Sequence, residues 1–268
     1  MKTIIYYFTA TGNSLDVAKS IEKSLEETEL ISIPKLSDYK IVAPAAEKVG
    51  FVFPVYDYSI PLVVKDFLNK LDLSNTSYIF ATVTCNFLPG LALDKVDSIL
   101  KEKKKKLNSG FVIKMPGTYI AMYGANSEKT QIKKFKQKDK KITTIIDCIE
   151  NCKNHGIEKS KLIIDRLLAP KFEKSMDNFP TKDRSFCVDD NCIGCGICSK
   201  VCAFDNIKII DGKPNWHHGC QQCFACIHLC PKVSIQIGTD TINKKRYKNP
   251  NISLQDIISA NSSLKKTE

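Results

Sequence analysis

No uncharged run in this chain is long enough to span a bilayer. The apolar start Met1-Lys2-Thr3-Ile4-Ile5-Tyr6-Tyr7-Phe8 is short and leads into Thr-Gly-Asn with no small-residue cleavage site. It therefore reads as a buried strand and not as a signal peptide, and the expected location is cytoplasmic. No recognised nucleic-acid module or basic motif interleaved with aromatics is present. No pair of side chains stands out as an acid–base couple. The first glycine-containing loop lacks the Gly-Lys-[Ser/Thr] ending of a P-loop and has too few glycines for a dinucleotide turn. What is there has ordinary globular composition, 43% apolar and 26% charged over 268 residues. That length suits two domains.

The net charge of +11 is unevenly spread. Residues 111–186 carry 16 basic against 9 acidic side chains, and the tail 239–268 adds +3. The stretches 1–110 and 187–238 are close to neutral. Such a surface is either a set of solvated lysine-rich helix faces or a docking face for an acidic redox protein, where charge speeds encounter.

Residues 3–8, 29–33, 49–53, 78–84 and 111–115 are β-branched or aromatic runs of strand length. Between them, Leu15 to about residue 28, Ile60–Leu71 and Leu91–Leu107 have helical spacing. Five strands alternating with helices predict a doubly wound α/β fold with a five-stranded parallel sheet. Two further helices are expected over 127–154 and 158–172, the first with Ile132, Phe135, Ile142, Ile145 and Ile149 turned inward. This gives a first domain over 1–172, a linker over 173–185, a small domain over 186–238, and a basic tail over 239–268 that is at most partly ordered.

Thr9-Ala10-Thr11-Gly12-Asn13-Ser14 joins the first strand to the first helix. A helix amino end offers free N–H groups and a positive dipole end to an anion. Gly12 allows close backbone approach, while Thr9, Thr11, Asn13 and Ser14 add neutral donors. This suits a monophosphate, although Ser or Thr before a helix is also ordinary capping. Two more loops fall on the same sheet edge, Pro54-Val55-Tyr56-Asp57-Tyr58 and Thr84-Cys85-Asn86-Phe87-Leu88-Pro89-Gly90. Residues 3–115 resemble a flavodoxin domain, with Thr-x-Thr-Gly-Asn-Ser matching its FMN-phosphate loop. The resemblance implies FMN, with ring contacts from the other two loops. No glycine lies between Pro54 and Pro61, where many flavodoxins keep one; Asp57 is a residue that tolerates a left-handed conformation.

Eight of the twelve cysteines stand in two runs of C-x2-C-x2-C-x3-C. These are Cys192, Cys195, Cys198 and Cys202, then Cys220, Cys223, Cys226 and Cys230, followed by Pro231. Such clustering in a chain of this length favours metal over disulfides. Thiolates suit zinc as well as iron–sulfur clusters, but this spacing is that of bacterial ferredoxins. In two-cluster ferredoxins the fourth cysteine of each run ligates the other cluster. That rule puts Cys192, Cys195, Cys198 and Cys230 on one [4Fe-4S] cluster and Cys220, Cys223, Cys226 and Cys202 on the other, within a small α+β ferredoxin-like domain. Ala203 follows Cys202 where proline follows Cys230, so it keeps an N–H that could reach a cluster sulfur. Cys85, Cys148, Cys152 and Cys187 read as structural thiols. His217, His218 and His228 read as packing or hydrogen-bonding residues, and Trp216 as core.

The whole chain apart from the tail resembles the flavodoxin–ferredoxin fusions called EFR-type ferredoxins. The resemblance is carried by Phe186-x-Val-x-x-x-Cys192, Lys213-Pro-x-Trp216-x-His218-x-Cys220 and Met115-Pro116-x-x-Tyr119. It implies electron transfer between FMN, two clusters and redox protein partners in anaerobic metabolism. Two other functions remain open on sequence grounds: a reductase acting on a small substrate or flavin, and a sensor or binding module without FMN.

Overall fold

The structure, a computed structural model, describes residues 1–160 and 162–261, the side chains of 163–168 excepted. Strand β1 (Thr3–Tyr7) is buried along its whole length, as a central strand covered on both faces must be. Helix α1 (Asn13–Glu22), β2 (Thr28–Ser32), β3 (Lys48–Pro54), α2 (Leu62–Lys70), β4 (Tyr78–Cys85), α3 (Ala92–Glu102) and β5 (Ser109–Lys114) follow in strict alternation. Then come α4 (Glu128–Glu150) and a two-residue β6 (Gly156–Ile157). All neighbours in the sheet are parallel, and the order is β2-β1-β3-β4-β5-β6. The first five strands have the doubly wound flavodoxin-like order, whose switch point lies between β1 and β3. The sheet thus has six strands and not five: β6 is too short to announce itself by alternation.

Each sheet face has its own apolar layer. Leu15, Ala18 and Ile21 of α1 join Ile142, Ile145 and Ile149 of α4 on one side. Val64, Phe67 and Leu68 of α2 join Val96 and Leu100 of α3 on the other. Close fit sets some identities. At Gly50 in β3 a Cβ would stand 2.1 Å from the Phe80 ring. Ile132, expected inward, is 55% exposed. At 3.6 residues per turn it is rotated about 80° from Ile142, off the buried stripe. That stripe instead admits a cation, Lys138, which is buried and 3.1 Å from the equally buried Asp16.

After α5 (Ile163–Ser175) the chain forms a 3-10 helix over Met176–Ser185 with Met176, Phe179 and Asp183 buried. The stretch expected as a linker, 173–185, is thus helical and packed: Asp183 accepts from Asn206 Nδ2 at 2.8 Å and lies 2.6 Å from His218 Nδ1. Strand β7 (Phe186–Val188), helix α6 (Ile197–Lys200), the hairpin β8 (Ile207–Ile210) and β9 (Lys213–Trp216), helix α7 (Ala225–His228) and β10 (Ile235–Ile237) make the small unit. There β10 pairs antiparallel with β7.

Part of the basic tail is ordered, over the weakly amphipathic stretch that runs from Ile252 to Ile258. Its chain runs back across the first unit and ends in α8 (Leu254–Asn261), with Tyr247, Asn249, Ile252, Ile257 and Ala260 buried. Residues 262–268 of the expected basic tail lie outside the described residues.

Candidate functional site

Four cysteines line each of two cavities in the small unit. Cys192, Cys195, Cys198 and Cys230 line one, with Ile193, Ile197, Ile209 and Pro214. Cys202, Cys220, Cys223 and Cys226 line the other, with Phe186, Phe204, Trp216 and Phe224. The two runs therefore exchange their fourth members across the cavities. Helices α6 and α7 are one turn each and enter from left-handed residues, Gly196 (φ +71°) and Phe224 (φ +58°). Gly194 is also left-handed (φ +65°), and a Cβ there would stand 3.0 Å from the Gly212 carbonyl. The tight loop before the first turn therefore depends on glycine.

Burial governs the chemistry of these thiols. It pushes Cys198 and Cys220 up to about 11, and Cys223 and Cys226 higher still. Neighbouring thiolates reinforce the effect: Cys202 acts on Cys220, Cys223 and Cys226. Left to themselves Cys198, Cys202, Cys220, Cys223 and Cys226 stay protonated; a cationic group is needed to hold them as thiolates. Backbone N–H groups already point the right way for such a state. Gln222 N–H lies 3.3 Å from Cys220 Sγ, and the N–H groups of Phe204 and Asn206 face Cys202. The expected donor had been Ala203, one residue earlier.

Among the described residues no three His, Cys, Asp or Glu side chains meet at a single metal-ion position. A cubane does not require that, since each of its thiolates binds a different iron and the four sulfurs stand around a body. Each cavity offers four sulfurs, the number and type of donor that a cubane takes.

The three loops of the first unit do share the carboxyl edge of the sheet. Ser14 Oγ and Thr84 Oγ1 are 2.9 Å apart, which ties the first loop to the third. Leu91 N–H donates to the Tyr58 carbonyl at 2.7 Å, which ties the second to the third. Asp57 (φ +41°) and Tyr58 (φ +62°) are the central residues of a tight turn closed by Tyr56 and Ser59, both left-handed as in a type I′ turn. Asp57 accepts from Ser175 Oγ at 3.1 Å, and its carboxyl is raised chiefly by burial. Lys114 and Lys134 clamp the third loop. Lys134 Nζ donates to the carbonyls of Asn86 (3.0 Å) and Met115 (2.9 Å), and Lys114 Nζ to that of Phe87. Burial lowers the Lys134 ammonium.

The phosphate loop itself is covered. Thr9, Thr11, Asn13 and Ser14 are buried. Asn249 N–H donates to the Thr11 carbonyl at 2.9 Å, and Tyr247 Oη to Asn13 Oδ1 at 2.7 Å. Gly12 (φ +100°) abuts the same segment: a Cβ there would stand 2.9 Å from Asn249 Cβ and 3.0 Å from Ile252 Cβ. A phosphate at the amino end of α1 and residues 247–252 would compete for one space. The neutral donors of the loop are of the kind a phosphate takes, and in this arrangement residues 247–252 cover them.

Sequence reading missed the segment that does the covering. Its local cues are the turn dipeptide Asn249-Pro250 and the weakly amphipathic stretch Ile252–Ile258, neither of which shows where the segment packs. It also missed Asp16 and Lys138, which look like solvated helix residues until α1 and α4 are laid side by side.

No family model matches the chain, and no curated protein does. Remote similarities to solved structures do exist. A flavodoxin from the domain Archaea is 16% identical, with 56% of this chain and 99% of that one covered, at a TM-score of 0.38. General stress protein 14 from Treponema denticola, solved in complex with FMN, is 12% identical over 56% of this chain and 99% of its own, at 0.36. An azoreductase from Bacillus anthracis is 13% identical over 58% and 100%, also at 0.36. At that distance none of them decides what this chain binds.

Proposed function

We propose that the chain is a one-electron carrier whose small unit holds two [4Fe-4S] clusters, one on Cys192, Cys195, Cys198 and Cys230 and one on Cys202, Cys220, Cys223 and Cys226. The observation that carries this reading is the sorting of eight cysteines into two four-cysteine cavities with Cys202 and Cys230 exchanged. When bound, each cluster would supply reversible storage of one electron. The chain's own residues hold the thiolates, direct backbone N–H groups at sulfur and exclude water with Phe186, Phe204 and Phe224.

In the same reading the first unit is an FMN domain, with Thr9, Ala10, Thr11, Gly12, Asn13 and Ser14 at the phosphate. Pro54, Val55, Tyr56, Asp57, Thr84, Cys85, Asn86, Phe87 and Gly90 would lie around the ring. The sequence motif and the strand order support it. Binding requires residues 247–252 to leave the loop. Their presence favours a second reading, an electron carrier whose first unit works without flavin.

The partner we infer is an acidic redox protein in an oxygen-poor cytoplasm. Lys129, Lys133, Lys136 and Lys140 line one face of α4, beside Ile132 and the exposed Phe87. Purification without oxygen, followed by flavin release on denaturation and by iron analysis, tests all parts together. Iron with flavin supports the first reading, iron alone the second, and neither overturns the proposal.

A further inference from the structure

Asn13, in the phosphate loop, is gripped from two sides. Its Oδ1 accepts from Tyr247 Oη at 2.7 Å and from Asn249 Nδ2 at 3.2 Å, and its Nδ2 donates to the Pro116 carbonyl at 2.9 Å. The backbone of Tyr247 faces the small unit instead, where its N–H donates to His228 Nδ1 at 3.2 Å. An acceptor at Nδ1 puts the ring proton on Nε2, which donates to the Thr118 carbonyl at 2.8 Å. Thr118 is two residues from Pro116, so these contacts close a ring through Asn13, Tyr247, His228 and the loop after β5. Asn13, Tyr247 and His228 are all buried, so a bond opened here is not simply exchanged for water.

The ring spans both units. Asn13 is the first residue of α1, and His228 is the last of α7, with Cys226 before it and Cys230 after it. Cys226 lines one cavity and Cys230 the other. On either side of the ring the tail is fixed by contacts of its own. Before it, Arg246 Nη2 donates to the Ile235 carbonyl at 3.1 Å and to Gln236 Oε1 at 2.6 Å, and Lys244 Nζ to the Ile120 and Ala121 carbonyls. Beyond it, Lys19 holds Asp256 at 2.8 Å, and Asn261 Nδ2 donates to the Val201 carbonyl at 3.0 Å.

We propose that Tyr247 couples the phosphate loop to the helix that stands between the two clusters: a phosphate monoester entering the loop takes Asn13 from Tyr247, and the Tyr247 N–H leaves His228 with it. The inference rests on the reading of that loop as a phosphate site. Only hydrogen bonds change. Helix α7 then keeps its tie to Thr118 and loses its tie to the tail. The coupling is reciprocal, so whatever steadies α7, a cluster included, opposes phosphate entry by the same factor. The trigger is the phosphate and not the flavin ring, since it is Asn13 that has to be released.

The test is hydrogen exchange read by mass spectrometry on the full-length, cluster-loaded protein alone, with FMN and with riboflavin, which has the ring and no phosphate. Flavin binding is followed on the same samples by fluorescence quenching. FMN should raise exchange over residues 247–252 and 226–229 by about tenfold, the loss of one buried hydrogen bond, and leave 254–261 unchanged. Riboflavin should change none of them. In Tyr247→Phe combined with Asn249→Ala, exchange over 226–229 should already be raised without ligand, and FMN should add nothing there. Wild-type exchange over 226–229 in that variant overturns the inference whether or not FMN binds. So does FMN that binds the wild type without moving 226–229, or riboflavin that acts as FMN does; in both cases the flavin reading stands. If neither protein binds FMN, both fall together.

Discussion

The Tyr247 hydroxyl donates to Asn13 Oδ1 across 2.7 Å, joining the end of the chain to the loop where a phosphate would enter. Asn13 is held from its other side too, through Nδ2 to the Pro116 carbonyl at 2.9 Å. If FMN binds at this loop, it must break the first bond and displace Asn249. Tyr247→Phe combined with Asn249→Ala is therefore expected to bind FMN more tightly than wild type by about tenfold, the equivalent of one buried hydrogen bond. Flavin fluorescence quenching measures it. Equal affinity in the two proteins would show that the segment does not gate the loop.

The pair Asp16 and Lys138 anchors this region from below. Asn249 Nδ2 reaches Asp16 Oδ2 at 3.1 Å, so the ion pair holds the segment as well as joining α1 to α4. Both partners are buried, and removing one leaves a lone charge. Lys138→Met is expected to cost about 3 kcal/mol or more, with Asp16→Asn in the same chain recovering part of it. Denaturant titration of the single and double variants checks this; equal loss in both would contradict it.

Acid should loosen the tail at one identifiable contact. Asp256 is held down to about 2, first by Lys19 at 2.8 Å and then by Ser253. A carboxyl depressed in the folded state stabilises above its unfolded value, near 3.9, and that contribution is lost as pH falls toward 2. The pair is largely exposed, so the effect is small. Hydrogen exchange within α8 should rise over that window in wild type and be flat in Asp256→Asn.

Charge on α4 should control encounter with an acidic carrier. Reversing Lys133, Lys136 and Lys140 to Glu is expected to slow reduction of an acidic ferredoxin by about tenfold at low salt, with the gap closing as salt rises. Stopped-flow rates over a salt series would show it. A rate insensitive to both salt and reversal would leave the lysines as solvated surface.

Much of the fold was legible because burial writes itself in local pattern. The fully buried Thr3–Tyr7 and Tyr78–Cys85 are continuous runs, and their alternation with helices dictates a parallel sheet. The exchange of Cys202 and Cys230 was expected from the ferredoxin rule that the fourth cysteine of a run serves the other cluster, and spacing alone would not have given it. What stayed hidden depends on long-range partners. Lys138 meets Asp16 122 residues away, and Asn249 meets Asn13 236 residues away. Nothing within one turn of any of these residues marks them. Gly50 is similar: its need for no side chain comes from Phe80 on the next strand.

The most direct test is the iron and acid-labile sulfide content of protein purified without oxygen. Two cubane clusters require about eight iron and about eight sulfide per chain, and Cys195→Ser, which removes a ligand from one cavity, should bring both down toward about half. Zinc in place of iron with no sulfide, or protein free of both after reconstitution under reducing conditions, would contradict the account.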